Sequence, residues 1–150
     1  MKKLGVIVNP VAGMGGRVGL KGSDGADILR QARNLGAQPE SPLRAVEALS
    51  VISRLKDKVE IVSYPTEMGE DECREAGYHP KVIGSIKSGE TTPEDTQKAA
   101  KEMSDAGADL ILFAGGDGTA RNICDAIGEE FPVLGIPAGS AAIEYCAWAA

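Results

Sequence analysis

Leu110-Ile-Leu-Phe-Ala-Gly-Gly-Asp-Gly-Thr-Ala-Arg-Asn122 is the most informative run in this chain. Leu110 to Ala114 are consecutive apolar residues, a length that suits a buried strand. Gly115, Gly116, Asp117, Gly118 and Thr119 follow without a spacer. Ala120, Ile123, Cys124 and Ile127 then recur at i, i+3, i+4 and i+7, the period of a helix with one apolar face. The run therefore predicts a strand, a glycine turn and a helix N-terminus, with one carboxylate in the turn. Backbone without Cβ atoms can approach a phosphate closely, and the free N–H groups of a first helical turn favour an anion. A plainer reading competes. Asp-Gly is a common turn dipeptide, and Asp at a helix start is an ordinary N-cap.

A second glycine-dense turn lies near the N-terminus. Leu4 to Val8 reads as a first buried strand and runs into Asn9-Pro-Val-Ala-Gly-Met-Gly-Gly-Arg-Val-Gly19. Val18 stands where the last glycine of G-x-G-x-x-G belongs, and no Gly-Lys-Ser/Thr follows. Neither a dinucleotide fingerprint nor a P-loop is present. Glycines at this density directly after a buried strand still predict a phosphate-approaching loop, with Arg17 as a charge partner.

The remaining pattern fills in an alternating α/β order. Asp24 to Leu35 reads as a helix with Ile28, Leu29, Ala32 and Leu35 inward. Ser41-Pro42 opens another, with Ser41 as N-cap, Pro42 at N1, and Ala45, Ala48, Leu49 and Ile52 on the inner face. Val59 to Val62 is a second strand, and Glu67 to Ala76 a poorly amphipathic helix with a solvated acidic face. Lys81 to Gly84 is a short third strand. Thr92, Pro93 and Asp95 form a strong helix start, with Ala99, Ala100 and Met103 inward and Gly107 as the stop. Pro132 to Gly139 is a fifth strand. This order predicts a three-layer αβα fold with a mainly parallel, doubly wound, Rossmann-like sheet. The loops after Val8, Ala114 and Ile136 would then meet at the carboxyl edge, where open α/β sheets bind ligands.

Composition narrows the function classes. The chain has 150 residues, a net charge of −6 and 43% apolar residues, ordinary values for one soluble domain. An acidic balance excludes a nucleic-acid-binding surface but not a single nucleotide. Three cysteines without close spacing and one histidine, His79, do not make a zinc site. The N-terminal apolar run is too short for a signal peptide or a membrane span. A cytoplasmic protein with reduced thiols, small-molecule nucleotide partners and a homo-oligomeric state is expected, with no membrane partner.

Gly115-Gly-Asp-Gly-Thr119 resembles the signature of the superfamily of NAD kinases, diacylglycerol and sphingosine kinases and 6-phosphofructokinases. Asn9-Pro10 with the glycines after it, and Gly135 to Gly139, fit the same pattern. The run Gly5 to Gly25 is similar to the branch of ATP- or polyphosphate-dependent NAD kinases, and also to proteins encoded beside acetoin-degradation enzymes. The resemblance covers residues 4–139 and implies the N-terminal domain of such a kinase. It implies phosphoryl transfer from ATP or polyphosphate to the 2′-hydroxyl of NAD, giving NADP. Asp117 would accept or orient the hydroxyl proton, as a weak base at a helix N-terminus. Gly115, Gly116 and Gly118 would turn N–H groups toward phosphate or ribose. Thr119 would donate a hydroxyl, Asn122 would reach the nucleotide from the first turn, and Asn9, Gly13, Gly15 and Gly16 would line the donor. Mg²⁺ would be held mainly by donor oxygens and water, since no carboxylate cluster marks a metal site.

Two other functions remain open at this point: a lipid or other small-alcohol kinase of the same superfamily, and a non-catalytic nucleotide-binding module. Relatives continue into a second, β-rich domain, whereas residues 140–150 read Ser-Ala-Ala-Ile-Glu-Tyr-Cys-Ala-Trp-Ala-Ala. As a helix this tail would be apolar nearly all round, with Glu144 its one charge. It reads as a truncated entry to a missing domain, so that this chain alone is incomplete as an enzyme.

Overall fold

The computed structural model describes residues 1–12 and 39–138. Within them the chain runs β1 (Lys2–Val8), α1 (Ser41–Val51), β2 (Val59–Ser63), α2 (Glu70–Glu75), β3 (Lys81–Val82), α3 (Pro93–Asp105), β4 (Leu110–Gly115), α4 (Asp117–Ile127) and β5 (Val133–Pro137). Single 3-10 turns at Ser53–Leu55 and Thr66–Met68 precede β2 and α2.

All strand pairs are parallel, in the order β3-β2-β1-β4-β5. β1 sits between β2 and β4, with Leu4 opposite both Ile61 and Leu110. Its last five residues are all buried. That is why it reads as a continuous apolar run: a strand covered on both faces has no solvent side to alternate with. Alternate side chains feed two cores. Ile7, Val62, Ile111 and Phe113 pack with Ala99, Ala100 and Met103 of α3 and Ala120 and Ile123 of α4. Leu4, Val6, Ile61 and Leu112 pack on the other face with Leu49 of α1 and Cys73 of α2. This is the three-layer, doubly wound α/β arrangement that the pattern predicts.

Local rules explain most element ends. Thr92 caps α3 with a complete capping box: the Asp95 N–H bonds the Thr92 side chain and the Asp95 carboxylate bonds the Thr92 N–H. Gly107 and Gly128 take φ of 84° and 80° just beyond α3 and α4, a left-handed region where a Cβ is disfavoured. Three expectations need correction. Ser41 is the first helical residue rather than the N-cap; Glu40 takes that place, and the buried Ser41 hydroxyl donates to the Ala12 carbonyl instead. A long-range partner outcompetes the local cap. The predicted helix from Glu67 breaks at Gly69, whose φ of 137° lets it lie against the Val6 carbonyl. Its acidic face is not wholly solvated, because Glu72 is 5% exposed. The predicted helix over 24–35 and the tail over 140–150 lie outside the described residues.

Candidate functional site

The sheet order reverses between β1 and β4. The chain leaves β1 for β2 on one side and returns on the other through β4. Loops leaving these two strands diverge to opposite faces, and the gap between them is where doubly wound sheets hold ligands. The two glycine-bearing loops of the sequence leave from these two strands.

They are tied together. The Asn9 N–H donates to the Ala114 carbonyl at 2.9 Å. The Asn9 side-chain amide donates to Thr119 Oγ1 at 2.9 Å, and its carbonyl accepts the Val11 N–H at 3.2 Å. One asparagine thus turns its own loop and anchors it to the first turn of α4. The third loop joins them, since the Ala138 N–H donates to the Gly115 carbonyl at 3.2 Å. The ends of β1, β4 and β5 therefore meet at one rim. Residues 23, 105 and 110 positions apart in sequence acquire fixed positions through these three hydrogen bonds.

Gly116 is the N-cap of α4 and carries no side chain to satisfy the first turn. The first intrahelical bond runs from the Ala120 N–H to the Gly116 carbonyl. The N–H groups of Asp117, Gly118 and Thr119 precede it and have no intrahelical acceptor. Asp117 occupies the first helical position and is exposed. The plainer reading, in which this Asp is the N-cap, does not hold: its carboxylate stands at the rim and leaves the cap to a glycine.

Gly115 has a different reason to be glycine from the one expected. It is the last residue of β4, opposite Pro137. A Cβ there would collide with the Thr119 side chain, approaching its Cβ to 2.6 Å. The absent side chain makes room for the threonine that Asn9 holds. Thr119 is 3% exposed and its oxygen already accepts one hydrogen bond. It braces the two loops, where the sequence suggested a hydroxyl aimed at a ligand. Asn122 lies in the second turn of α4, half-buried and about 7.5 Å of helix rise below Asp117, not in the first turn as expected. Gly13, Gly15, Gly16 and Arg17 lie outside the described residues.

Neighbouring loops give the rim a second wall that the sequence did not reveal. Glu67 accepts hydrogen bonds from the Ser88 hydroxyl at 2.9 Å and the Gly89 N–H at 2.6 Å, joining the loops after β2 and β3. Burial works against its charge, but hydrogen bonds from Thr66, Gly89 and Ser88 win and hold its pKa below the usual value. Thr66 beside it takes φ of 47°, uncommon for a β-branched residue, and its N–H donates to the Glu70 carboxylate. No sequence period marks such a clamp; only its acidic residues were visible.

A glycine-capped helix leaving the reversal point of a parallel sheet, with an exposed carboxylate at its first position, defines a doubly wound, Rossmann-like α/β domain. More narrowly, the chain belongs to the ATP-NAD kinase N-terminal domain family, whose sequence profile matches residues 4–142. The family is one of phosphoryl-transferring kinases. No curated protein matches the sequence. Among solved structures, UDP-GlcNAc 2-epimerase from Neisseria meningitidis, bound to UDP-GlcNAc, aligns at 13% identity with a TM-score of 0.47. The alignment covers 90% of this chain and 32% of the epimerase chain, and it carries no functional argument. No described helix is long and apolar enough to cross a membrane.

Proposed function

We propose that this domain supplies half of the active site of an NAD kinase-like phosphotransferase, which moves a phosphoryl group from ATP or polyphosphate to the 2′-hydroxyl of NAD. The observation that supports this reading is the Asn9–Thr119 bond, which ties the N-terminal loop to the first turn of the helix that Asp117 opens. In the proposed reaction, free N–H groups at the start of α4 attract phosphate oxygens and Asp117 orients the acceptor hydroxyl and takes its proton. The O–H bond breaks, the ribose oxygen bonds the terminal phosphorus, and the bond from that phosphorus to the leaving oxygen breaks. A loose transition state asks more for alignment than for early proton removal, so a weakly basic carboxylate suffices.

The rim fits a phosphate ester, because it offers unpaired N–H groups and a Cβ-free approach. No group of three metal-ligating side chains occurs among the described residues. No step is therefore routed through a protein-bound ion; Mg²⁺ would enter on donor oxygens. Cytoplasmic location and self-association remain part of the proposal.

The test is Asp117→Asn in the complete protein, with NADP formation measured from NAD plus ATP and, separately, polyphosphate. Loss of turnover by at least about a hundredfold with unchanged nucleotide affinity is expected. Turnover near that of the parent protein would exclude the role given to Asp117. Phosphate appearing on a lipid or another alcohol, with none on NAD, would move the protein to the neighbouring kinase class.

A further inference from the structure

One side of α4 carries a stripe of alternating charge. Asp117, Arg121 and Asp125 recur every fourth residue, so they share a helix face, each about 6 Å further from the rim than the last. Glu129 follows just past the end of α4. All four line a cavity of about 310 Å³ that lies over Phe113, Cys124 and Val133. Gly135 of β5 helps shape its floor, since a Cβ there would approach the Phe113 ring to 2.9 Å. The cavity therefore begins at the Asp117 carboxylate and runs down α4 toward the other end of the sheet.

Opposite charges at this spacing on a solvated helix commonly pair with one another. α2 and α3 do so through Glu70–Arg74 and Lys101–Asp105. The α4 stripe does not: among the described residues, no ion pair or side-chain hydrogen bond joins Asp117, Arg121, Asp125 or Glu129 to one another. Asp125 and Glu129 act on the floor instead. Together with burial, the largest cause, they hold the Cys124 thiol above its usual pKa. The groove thus offers a carboxylate at its top, a guanidinium in the middle and two carboxylates at its lower end. An apolar floor with a few charged groups around it is the usual make-up of a small-molecule pocket.

A ligand that matches this order presents a hydroxyl, then an anionic group, then a flat cation. We propose that the groove binds the oxidised nicotinamide dinucleotide lengthwise, with its pyrophosphate at Arg121 and its positively charged pyridinium ring over Cys124 and Val133, facing Asp125 and Glu129. The proposal rests on the phosphotransferase reading, in which Asp117 meets the ribose hydroxyl. It extends that reading to the direction in which the acceptor lies and to its oxidation state. The reduced dinucleotide keeps the hydroxyl and the pyrophosphate, but its dihydropyridine ring is neutral. It therefore loses only the contact with the lower carboxylates.

The test uses the complete protein, with NAD⁺ and NADH binding measured by titration calorimetry at low and high salt. The parent should bind NAD⁺ about threefold or more tightly than NADH, a margin in keeping with exposed charge pairs, and added salt should shrink it. Asp125 and Glu129 are exposed, so the isosteric changes Asp125→Asn and Glu129→Gln leave packing intact. Together they should abolish the preference by weakening NAD⁺ alone, whereas Arg121→Gln should weaken both dinucleotides alike. Saturating NAD⁺ should also protect Cys124 from N-ethylmaleimide, read by peptide mass mapping. Equal affinity of the parent for the two dinucleotides, a preference retained by the double variant, or Cys124 left open under saturating NAD⁺ would each overturn the proposal. If NADP still forms in those cases, the phosphotransferase reading stands without it. If no NADP forms and neither dinucleotide binds, both fall.

Discussion

Glu72 offers the sharpest quantitative test of the packing around the rim. It is the third residue of α2, where an acid normally gains from the helix N-terminus. Burial outweighs that gain. The residue is 5% exposed, Oε2 has no hydrogen-bond partner, and desolvation raises the pKa from 4.5 to about 7. Its own N–H and that of Gly69 pull the other way, while Asp71 and Glu67 add to the rise. The native state thus holds this proton more tightly than the unfolded chain. Between pH 4.5 and 7 it binds more protons than the unfolded state, so stability falls as pH rises through that window. At about 1.4 kcal/mol per tenfold change in proton affinity, the loss amounts to roughly 3 kcal/mol once pH exceeds 7. Glu72→Gln removes the titration while keeping an acceptor for the Gly69 N–H. Its buried amide carries a pH-independent cost, so the difference in slope is the observable. Urea unfolding of both proteins at pH 5, 6, 7 and 8 measures it. The variant should gain roughly 3 kcal/mol on its parent between pH 5 and pH 8. Parallel pH profiles would refute the burial argument.

Other outcomes follow from the same geometry. Asn9→Ala should leave the buried Thr119 oxygen without its donor and cost about 1–3 kcal/mol; a double-mutant cycle with Thr119→Val should recover about 1 kcal/mol of coupling, and additivity would show that the bond holds nothing together. Gly115→Ala should destabilise by about 1–3 kcal/mol through collision with Thr119, read as a lower denaturation midpoint, and Gly115→Ala combined with Thr119→Ser should relieve part of that loss. Thr92→Ala should cost about 1 kcal/mol by removing the α3 capping box, read as a lower midpoint in thermal unfolding.

Much of this protein is determined by local pattern. The apolar runs at Leu4–Val8 and Leu110–Ala114 are strands because both faces are covered, and that continuity is visible without coordinates. The α3 start and the glycine stops after α3 and α4 rest on backbone chemistry within a few residues. Asp117 stands out because the glycines around it form an uncommon string. Tertiary structure alone decided what each of those residues does. Ser41 lost its cap role to a carbonyl across the fold, and Gly115 proved to be space for Thr119. Thr119 itself became a brace because Asn9 lies opposite it across two parallel strands. Glu72 looks like one more acid in an acidic stretch until packing removes its water. Periodicity and capping are properties of neighbours along the chain, so the sequence displays them. Desolvation and the meeting of distant loops depend on which surfaces face each other once the sheet is assembled, and only the folded chain contains that information.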